Sequence, residues 1–550
     1  HIFIDPDPDI ERSYGERERL FHQDRSNWGD YDRSTLSEGG EIFDRSEKTI
    51  NPSSIARVLL GLPPDGVFSP EEVIRAILCA DVDMLFNGGI GTYIRSSLEP
   101  DLSVDDSSNS ACRVTATAVR ASIMVEGGNL GVTPRGRVEL SRGGMMINTD
   151  FVDNSGGVDC SDHEVNLKTM LFDEVRSGRI TVEQRNQVLT EIQQDVCEHV
   201  LMNNREQGLL LSLDEIRSEV DPFSIERTMM ILEDRGVLDR EAESLPTQEE
   251  LTTRHVDGIG LFRPELAIVA AHAKMDVYQR LLLQPVGRVD ELRFLREYFP
   301  AAIRSRFADA IEKHQLGREI AMTVLTNRIV DRAGSFFFLD MERETGRSIG
   351  HIARSYLIAD DLIGAEQIRD EILSLKEVSA RVANLALVRI QESLRRTAAW
   401  LLSSHDDDRL DRIEGLIADG ARPLSEYQDS IPDCLSGPEL DRHENHIQEA
   451  LAAGFSPVLA QSLAKFEHLT AGVRILDISR THDIRVGDVA RIYYLLGHRS
   501  GLHPLVRKCD EMMFNGRWDS LSMRILRNTI LDGLWALVTR ICGRSENQRQ

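Results

Sequence analysis

Apolar positions fall into short blocks over the first third of the chain and into helical stripes over the remainder. The first 60 residues are polar and irregular, with DPDPD near the start and SEGGE at Ser37–Glu41. They predict the end of a strand followed by a long surface excursion. Order sets in at Ser69. Ser69-Pro70-Glu71-Glu72 supplies a hydroxyl cap, a proline in the first turn and a glutamate three residues after the cap, which together start a helix. Ile74, Ile77 and Leu78 follow at helical spacing, and an apolar run at 82–86 predicts a buried strand. That run ends in Asn87-Gly88-Gly89-Ile90-Gly91.

The same unit recurs. A helix-like stretch at 113–120 leads to a second strand at 121–125, which ends in Glu126-Gly127-Gly128-Asn129. A third strand at 145–148 is followed by a loop holding Asn154-Ser155-Gly156-Gly157. Helix, strand and glycine-rich loop, three times over, predict a parallel doubly wound sheet, whose ligands sit at the carboxyl ends of the strands. After Ser161 the pattern turns helical. Ser161-Asp162-His163-Glu164 predicts a capped helix ending near Ser177-Gly178. Thr181 with Gln184 opens the next, with Val188, Ile192, Val196 and Val200 on one face. Pro264 starts a long amphipathic helix carrying Leu266, Val269, Ala273, Val277 and Leu281 on one side. Helical patterns continue through 318–333, 365–375, 380–402 and 520–541, with no comparable strand signal beyond about residue 160 and no fixed-period repeat.

The expected architecture is α/β followed by all-α. A partial Rossmann-like parallel sheet domain with an irregular N-terminal segment spans 1–205. A large helical C-terminal domain spans 206–550, with a further division near 403–440. Polar stretches at 99–110, 244–263 and 403–409 are candidate boundaries. The last contains Asp406, Asp407 and Asp408, a triplet that reads as a solvated acidic turn rather than a metal site.

Composition narrows the function. The 550 residues are 41% hydrophobic and 28% charged, enough apolar material for a large core in three or four domains. No run of about 18 apolar residues occurs, and the acidic N-terminus does not read as a signal peptide. Lys+Arg number 64 against Asp+Glu 90, a net charge of −26. Such a field excludes binding to nucleic acid phosphates or anionic membranes through overall charge. Seven scattered cysteines with no CxxC fit a reducing cytoplasm. The first residue is His1 rather than Met, so the chain is expected to be part of a longer polypeptide.

The candidate chemistry lies in the three loops. A glycine-rich turn after a buried strand lets a ligand approach the backbone closely. Asn87, Asn129 and Asn154 each add an amide that both donates and accepts. Gly and Asn also make ordinary turns; three such loops in one register favour a neutral polar ligand with ribose hydroxyls and an amide. No G-x-G-x-x-G opens a helix after a first strand, and no G-x-x-x-x-G-K-[ST] occurs. The sheet therefore reads as the second half of a dinucleotide domain. Ser161 reads as a helix cap, and equally as a hydroxyl donor to an anionic substrate at the positive end of the helix. His443 and His446 form HxxH without the HExxH pattern and read as surface histidines. Asp162, His163 and Glu164 are consecutive and point different ways on a helix. With no GxSxG, nothing supports a nucleophilic hydrolase.

Taken together, HIFIDPDPD, WGDYDRSTLSEGG, DMLFNGGIGTYIRSS, VEGGNLGVTPRGRVEL and INTDFVDNSGGVDCSDHEVN resemble the NAD-specific glutamate dehydrogenases of the large bacterial class. GLFRPELAIVAAHAK and RFADAIEKHQLGREI look like that family's C-terminal helical region. The resemblance is dense to about residue 350 and looser beyond, and Phe86 stands where Trp is expected. It implies NAD as cofactor and L-glutamate and 2-oxoglutarate as substrates, with no metal, in a cytoplasmic homo-oligomer. Asn87, Gly88 and Gly89 would line the cleft near the adenosine side or bridging phosphates. Gly127, Gly128 and Asn129 would approach the nicotinamide ribose. Asn154, with Gly156 and Gly157, would sit between nicotinamide and substrate, and Ser161 would bind the distal carboxylate of glutamate. The catalytic Lys and Asp and the phosphate-binding turn would lie upstream of His1, so no catalytic residue is assigned in this chain. Two other readings stand beside this one: a non-catalytic helical assembly or regulatory module attached to a remnant nucleotide-binding domain, and an unrelated Rossmann-like binding protein.

Overall fold

The computed structural model describes residues 1–220, 222–286, 288–403, 408–418, 424–512 and 517–547. Strand β1 (Ile2–Ile4) pairs antiparallel with β2 (Glu41–Phe43), Ile2 opposite Phe43. Between them the chain is not irregular throughout, as its polarity suggested: helix α1 (Ile10–His22) forms there. Asp9 caps it, accepting from the Arg12 amide at 2.8 Å. Leu20 packs with Tyr31 and Ile42, and the buried Glu16 receives Arg19 and the Asp32 amide. Its apolar Ile10, Tyr14 and Phe21 are exposed, so no inward stripe announces it in the sequence. Helix α2 (Ser54–Leu60) and helix α3 (Pro70–Leu78) follow, α3 opening at Ser69 with the expected reciprocal Ser69–Glu72 cap. Ile2, Ile4, Ile50, Leu60, Phe68 and Val73 make a small core beneath them.

The central sheet contains β3 (Met84–Asn87), β6 (Ile123–Glu126) and β7 (Met146–Ile147), all parallel and in that order. The strands expected at 82–86, 121–125 and 145–148 are thus present within one or two residues. Helix α4 (Pro134–Arg142), capped by Thr133 with Pro134 in its first turn, crosses from β6 to β7. Its Leu140 packs with Met124 and Ile147 on one sheet face. On the other face Met84, Phe86 and Met146 are 55%, 59% and 62% exposed. Parallel sheets are ordinarily covered on both faces, so this sheet has a bare side and a bare β3 edge.

The stretch 113–120 is not a helix. It forms β5 (Val114–Thr115), parallel to β4 (Ile94–Arg95), and then a short 3-10 turn. Val114, Thr115 and Thr117 are β-branched, which favours extended backbone. The buried Arg113 fixes the segment by donating to the Thr92 carbonyl at 2.9 Å and to Asp101 at 2.8 Å.

A second correction concerns Ser161. After β7 come the short helix α5 (Asp150–Asp153), Asn154 as a junction, and then α6 (Ser155–Arg176). The helix begins six residues before Ser161, and Gly156 and Gly157 are helical rather than loop. Ser161 is not a cap; its hydroxyl donates back to the Gly157 carbonyl at 3.1 Å. The Ser-x-x-Glu spacing misleads because Asn154 already breaks the backbone at the true start, with φ −99° and ψ 9°.

Helix α7 (Val182–Glu191) has the expected Thr181–Gln184 capping box, and α8 (Gln193–Val220) continues the same apolar face. Residues 205 and 206 lie within α8. Helices α9 (Pro222–Asp234), α10 (Gln248–Val256) and α11 (Arg263–Leu282) follow, with Leu266, Val269, Ala273, Val277 and Leu281 of α11 buried. Helices at Gly317–Ala333, Ala365–Ser374, Ala380–Leu402 and Arg517–Asn547 match the remaining expected stripes. Asp406 and Asp407 lie outside the described residues, and Asp408 begins the helix Asp408–Ala418. Among the described residues no strand follows β7, and no helix is long and apolar enough to cross a membrane. One continuous hydrophobic core runs from Val152 to Cys542, so α6 to α8 pack in the helical body, while α5 meets both that body and the end of β6.

His443 is not a surface residue. It is buried on the inner face of the helix Pro438–Ala452, its ring 5.3 Å from that of His468. His446, partly exposed, pairs with Glu467 at 3.3 Å. His468 is bonded through Nδ1 to the Tyr494 hydroxyl at 2.9 Å, which in turn meets the Tyr427 hydroxyl at 2.7 Å. Burial, with His443 close by, lowers His468 from an ordinary 6.5 to about 3. The unfolded chain therefore takes up a proton near pH 6.5 that the folded chain refuses until about pH 3. Stability is predicted to fall as pH drops through this window. Denaturant titrations between pH 7 and 5 should show a slope approaching about 1.4 kcal/mol per pH unit for this one group, absent in His468→Gln.

Candidate functional site

The carboxyl ends of β3, β6 and β7 bring the three loops to one edge. The Asn87 carbonyl accepts from the amides of Gly127 (2.8 Å) and Gly128 (3.2 Å), joining the first loop to the second. The Asn154 side-chain amide donates to the Asn129 side-chain oxygen at 2.5 Å, joining the third to the second. The contact between loops needs glycine. A Cβ on Gly128 would stand 2.1 Å from the Gly89 carbonyl oxygen, and one on Gly131 would stand 1.6 Å from Asn87 Nδ2. The Asn87 amide nitrogen is buried and has no hydrogen-bond partner among the described residues. Leu130, between these glycines, is held at φ +57°, a left-handed conformation that costs a bulky side chain about 1–2 kcal/mol.

Behind the loops lies a charged network that sequence reasoning missed. Glu126, fully buried at the end of β6, receives Arg137 Nε at 2.7 Å and Nη2 at 3.0 Å, and the Val132 amide at 3.1 Å. Arg137 also meets Asp150 at 3.1 Å, and Asp150 accepts from the Leu130 amide at 2.7 Å. Burial pushes the Glu126 carboxyl up, against the opposing pull of Arg137. Asp153 is likewise pushed up by burial and accepts from the Glu126 amide (2.9 Å) and from Asn148 (2.6 Å). Asn148 in turn receives Arg263, at the start of α11. Arg263 also donates to Ser212 (3.0 Å), Glu215 (2.9 Å) and the Gly208 carbonyl (2.8 Å) of α8. The loops are thus braced from within the sheet and tied to the helical body by one arginine. Only the run Glu126-Gly127-Gly128, with a carboxylate directly before the glycines, hinted at this arrangement; Arg137 lies 11 residues on and Arg263, at the far end of the network, 115 residues from its partner Asn148.

Of the sequence-chosen residues, Asn87, Gly88, Gly89, Gly127, Gly128, Asn129 and Asn154 are gathered at this edge. Gly156 and Gly157 lie in the first turn of α6 just beyond Asn154. A Cβ on Gly156 would meet Val200 at 3.4 Å and one on Gly157 would meet nothing within 4 Å, so the chain's own packing does not require glycine at 157. Ser161, exposed one turn further on, bonds only back to the Gly157 carbonyl of its own helix among the described residues.

A parallel sheet with facing glycine-rich loops at its carboxyl edge, joined to a large helical body, defines an α/β protein of the Rossmann-like kind followed by an all-α portion. A family model described as the catalytic domain of bacterial NAD-glutamate dehydrogenase matches residues 1–214, and one described as the C-terminal part of glutamate dehydrogenase matches residues 258–550. The chain belongs to the bacterial NAD-glutamate dehydrogenase family. It is 35% identical to an NAD-specific glutamate dehydrogenase of Halomonas elongata over 546 residues, 99% of this chain and 34% of the relative. Proteins of the same name from Pseudomonas aeruginosa and Mycobacterium tuberculosis are each 36% identical, over 96% and 98% of this chain and 33% of each relative. The chain therefore spans about a third of the length of these curated relatives.

Proposed function

We propose that this chain forms one wall of the cofactor cleft in an enzyme that deaminates L-glutamate oxidatively to 2-oxoglutarate and ammonia with NAD. The observation that carries the reading is the meeting of two glycine-rich loops and the Asn154 junction at one sheet edge, where Gly128 passes too close to Gly89 for any side chain. The residues present fit such a cofactor: an unpartnered buried side-chain amide at Asn87, and exposed Gly88, Gly89 and Gly127. Bound NAD would supply the hydride acceptor at C4 of its nicotinamide. Asn87, Gly88 and Gly89 would hold the adenosine side or bridging phosphates, and Gly127, Gly128 and Asn129 the nicotinamide ribose. Asn154, fixed by Asn129, would orient the nicotinamide against the substrate, and Ser161 would reach the distal carboxylate. The catalytic Lys and Asp belong, in this reading, to an upstream part of the same polypeptide. Residues 1–205 act as the partial nucleotide-binding portion and 206–550 as the helical portion. The complete enzyme is a homo-oligomer of the cytoplasm, consistent with seven free cysteines.

The test is Asn154→Ala in the complete enzyme. Loss of one orienting hydrogen bond should lower kcat/KM for glutamate roughly tenfold or more, with little change in the thermal midpoint. Unchanged glutamate kinetics in both Asn154→Ala and Ser161→Ala would sink this reading of the loops.

A further inference from the structure

Far along the sequence from the loops, four helices cross: Gly317–Ala333, Ile349–Ile363, Ala365–Ser374 and Ala380–Leu402. They enclose a small cavity of about 10 Å³, lined by Arg332, Tyr356, Asp360, Glu366, Arg369 and Gln391 among others. That is room for a single small occupant. Tyr356 is 1% exposed, Gln391 3% and Arg369 6%. Four donors on these walls have no hydrogen-bond partner among the described residues: Arg332 Nη1, Arg369 Nε, Gln391 Nε2 and the Tyr356 hydroxyl; one acceptor, Gln391 Oε1, is unpartnered beside them. Each guanidinium is anchored at its other end, Arg332 Nη2 by Glu366 at 3.0 Å and Arg369 Nη2 by Glu206. Their free edges are therefore fixed rather than searching for a partner.

Buried donors left unmet are costly, and a core does not keep four of them around one cavity without something that accepts from them. A water molecule could donate to Gln391 Oε1 but accepts only two hydrogen bonds, leaving two of the four donors unmet, whereas a monatomic anion accepts from all four and is favoured by the two guanidiniums. We propose that this cavity is a binding site for one inorganic anion of chloride size, held by Arg332, Arg369, Gln391 and Tyr356. Asp360 stands 3.8 Å from Arg332 Nη1, beyond hydrogen-bond range, and leaves that donor open. The bound ion locks the crossing of the four helices, which carry much of the large core.

Crystals of the complete enzyme soaked in sodium bromide should show an anomalous peak in this cavity. In solution, with ionic strength held constant by gluconate, the thermal midpoint should rise saturably with chloride. Tyr356→Phe keeps the ring and removes one donor, and should raise the half-saturating chloride concentration roughly tenfold. Gln391→Met provides a second variant if the first does not fold. A cavity without bromide signal, filled by density of water strength, overturns the proposal. So does an undiminished chloride response in both variants.

Discussion

Gly128→Ala in the complete enzyme is expected to lower kcat/KM for L-glutamate about 100-fold while the helical body stays folded. A methyl group at this position would stand 2.1 Å from the Gly89 carbonyl oxygen and 2.9 Å from the Gly89 carbonyl carbon. Both are backbone atoms, so no side chain can swing away to make room. The first and second loops must separate by an ångström or more, breaking the bonds from the Gly127 and Gly128 amides to the Asn87 carbonyl. Displacement of about 1 Å at a positioning element costs on the order of 100-fold in rate. Steady-state kinetics with a parallel thermal scan check this. Gly157→Ala is the informative contrast, since nothing in the chain stands within 4 Å of a Cβ there. A loss of activity in Gly157→Ala at unchanged stability would mean that a bound ligand, rather than the chain's own packing, approaches that glycine.

Arg137→Met is expected to destabilise the sheet portion by about 3–5 kcal/mol, the usual cost of leaving a buried charge without its partner. Glu126 is fully buried, and Arg137 supplies two of its hydrogen bonds; Asp150 would lose the same partner. Because burial already pushes the Glu126 carboxyl up, the variant should take up a proton there at neutral pH. The sign follows: with the folded state binding a proton that the unfolded state releases, the variant gains stability as pH falls toward the ordinary carboxylate range. Urea titrations at pH 7.5 and 5.5 would show this opposite trend to the parent. Adding Glu126→Gln should recover part of the loss. A loss well under about 1 kcal/mol for Arg137→Met would show that the network is not holding the loops.

Much of this was legible in the sequence where local chemistry decides conformation. Ser69-Pro70-Glu71-Glu72 and Thr181 with Gln184 carry their own caps, and both helices start where those residues put them. The three parallel strands were visible because each is a short apolar run closed by Asn or Gly. Tertiary partners decided the remainder. The segment at 113–120 is extended because Arg113 is anchored by Thr92 and Asp101, and periodicity carries no trace of either. Helix α1 rests on a cap and three buried positions amid charge, too little for a stripe. Ser161 met the rule for a helix start yet lies inside a helix, because α6 begins at Ser155, directly after the junction at Asn154. In the site, the glycines and asparagines were readable because close approach demands their residue types. The Glu126–Arg137–Asp150 cluster and the Arg263 tie were not, since buried ion pairs leave no spacing pattern.

We propose that NAD lies along the edge formed by the loops after β3 and β6. Hydrogen–deuterium exchange of the complete enzyme, with and without saturating NAD, tests it most directly. Exchange should slow in peptides covering 87–91 and 126–131 and stay unchanged across 380–402. An enzyme that turns over glutamate, is saturated with NAD and yet exchanges at both loops as fast as the free protein would contradict it.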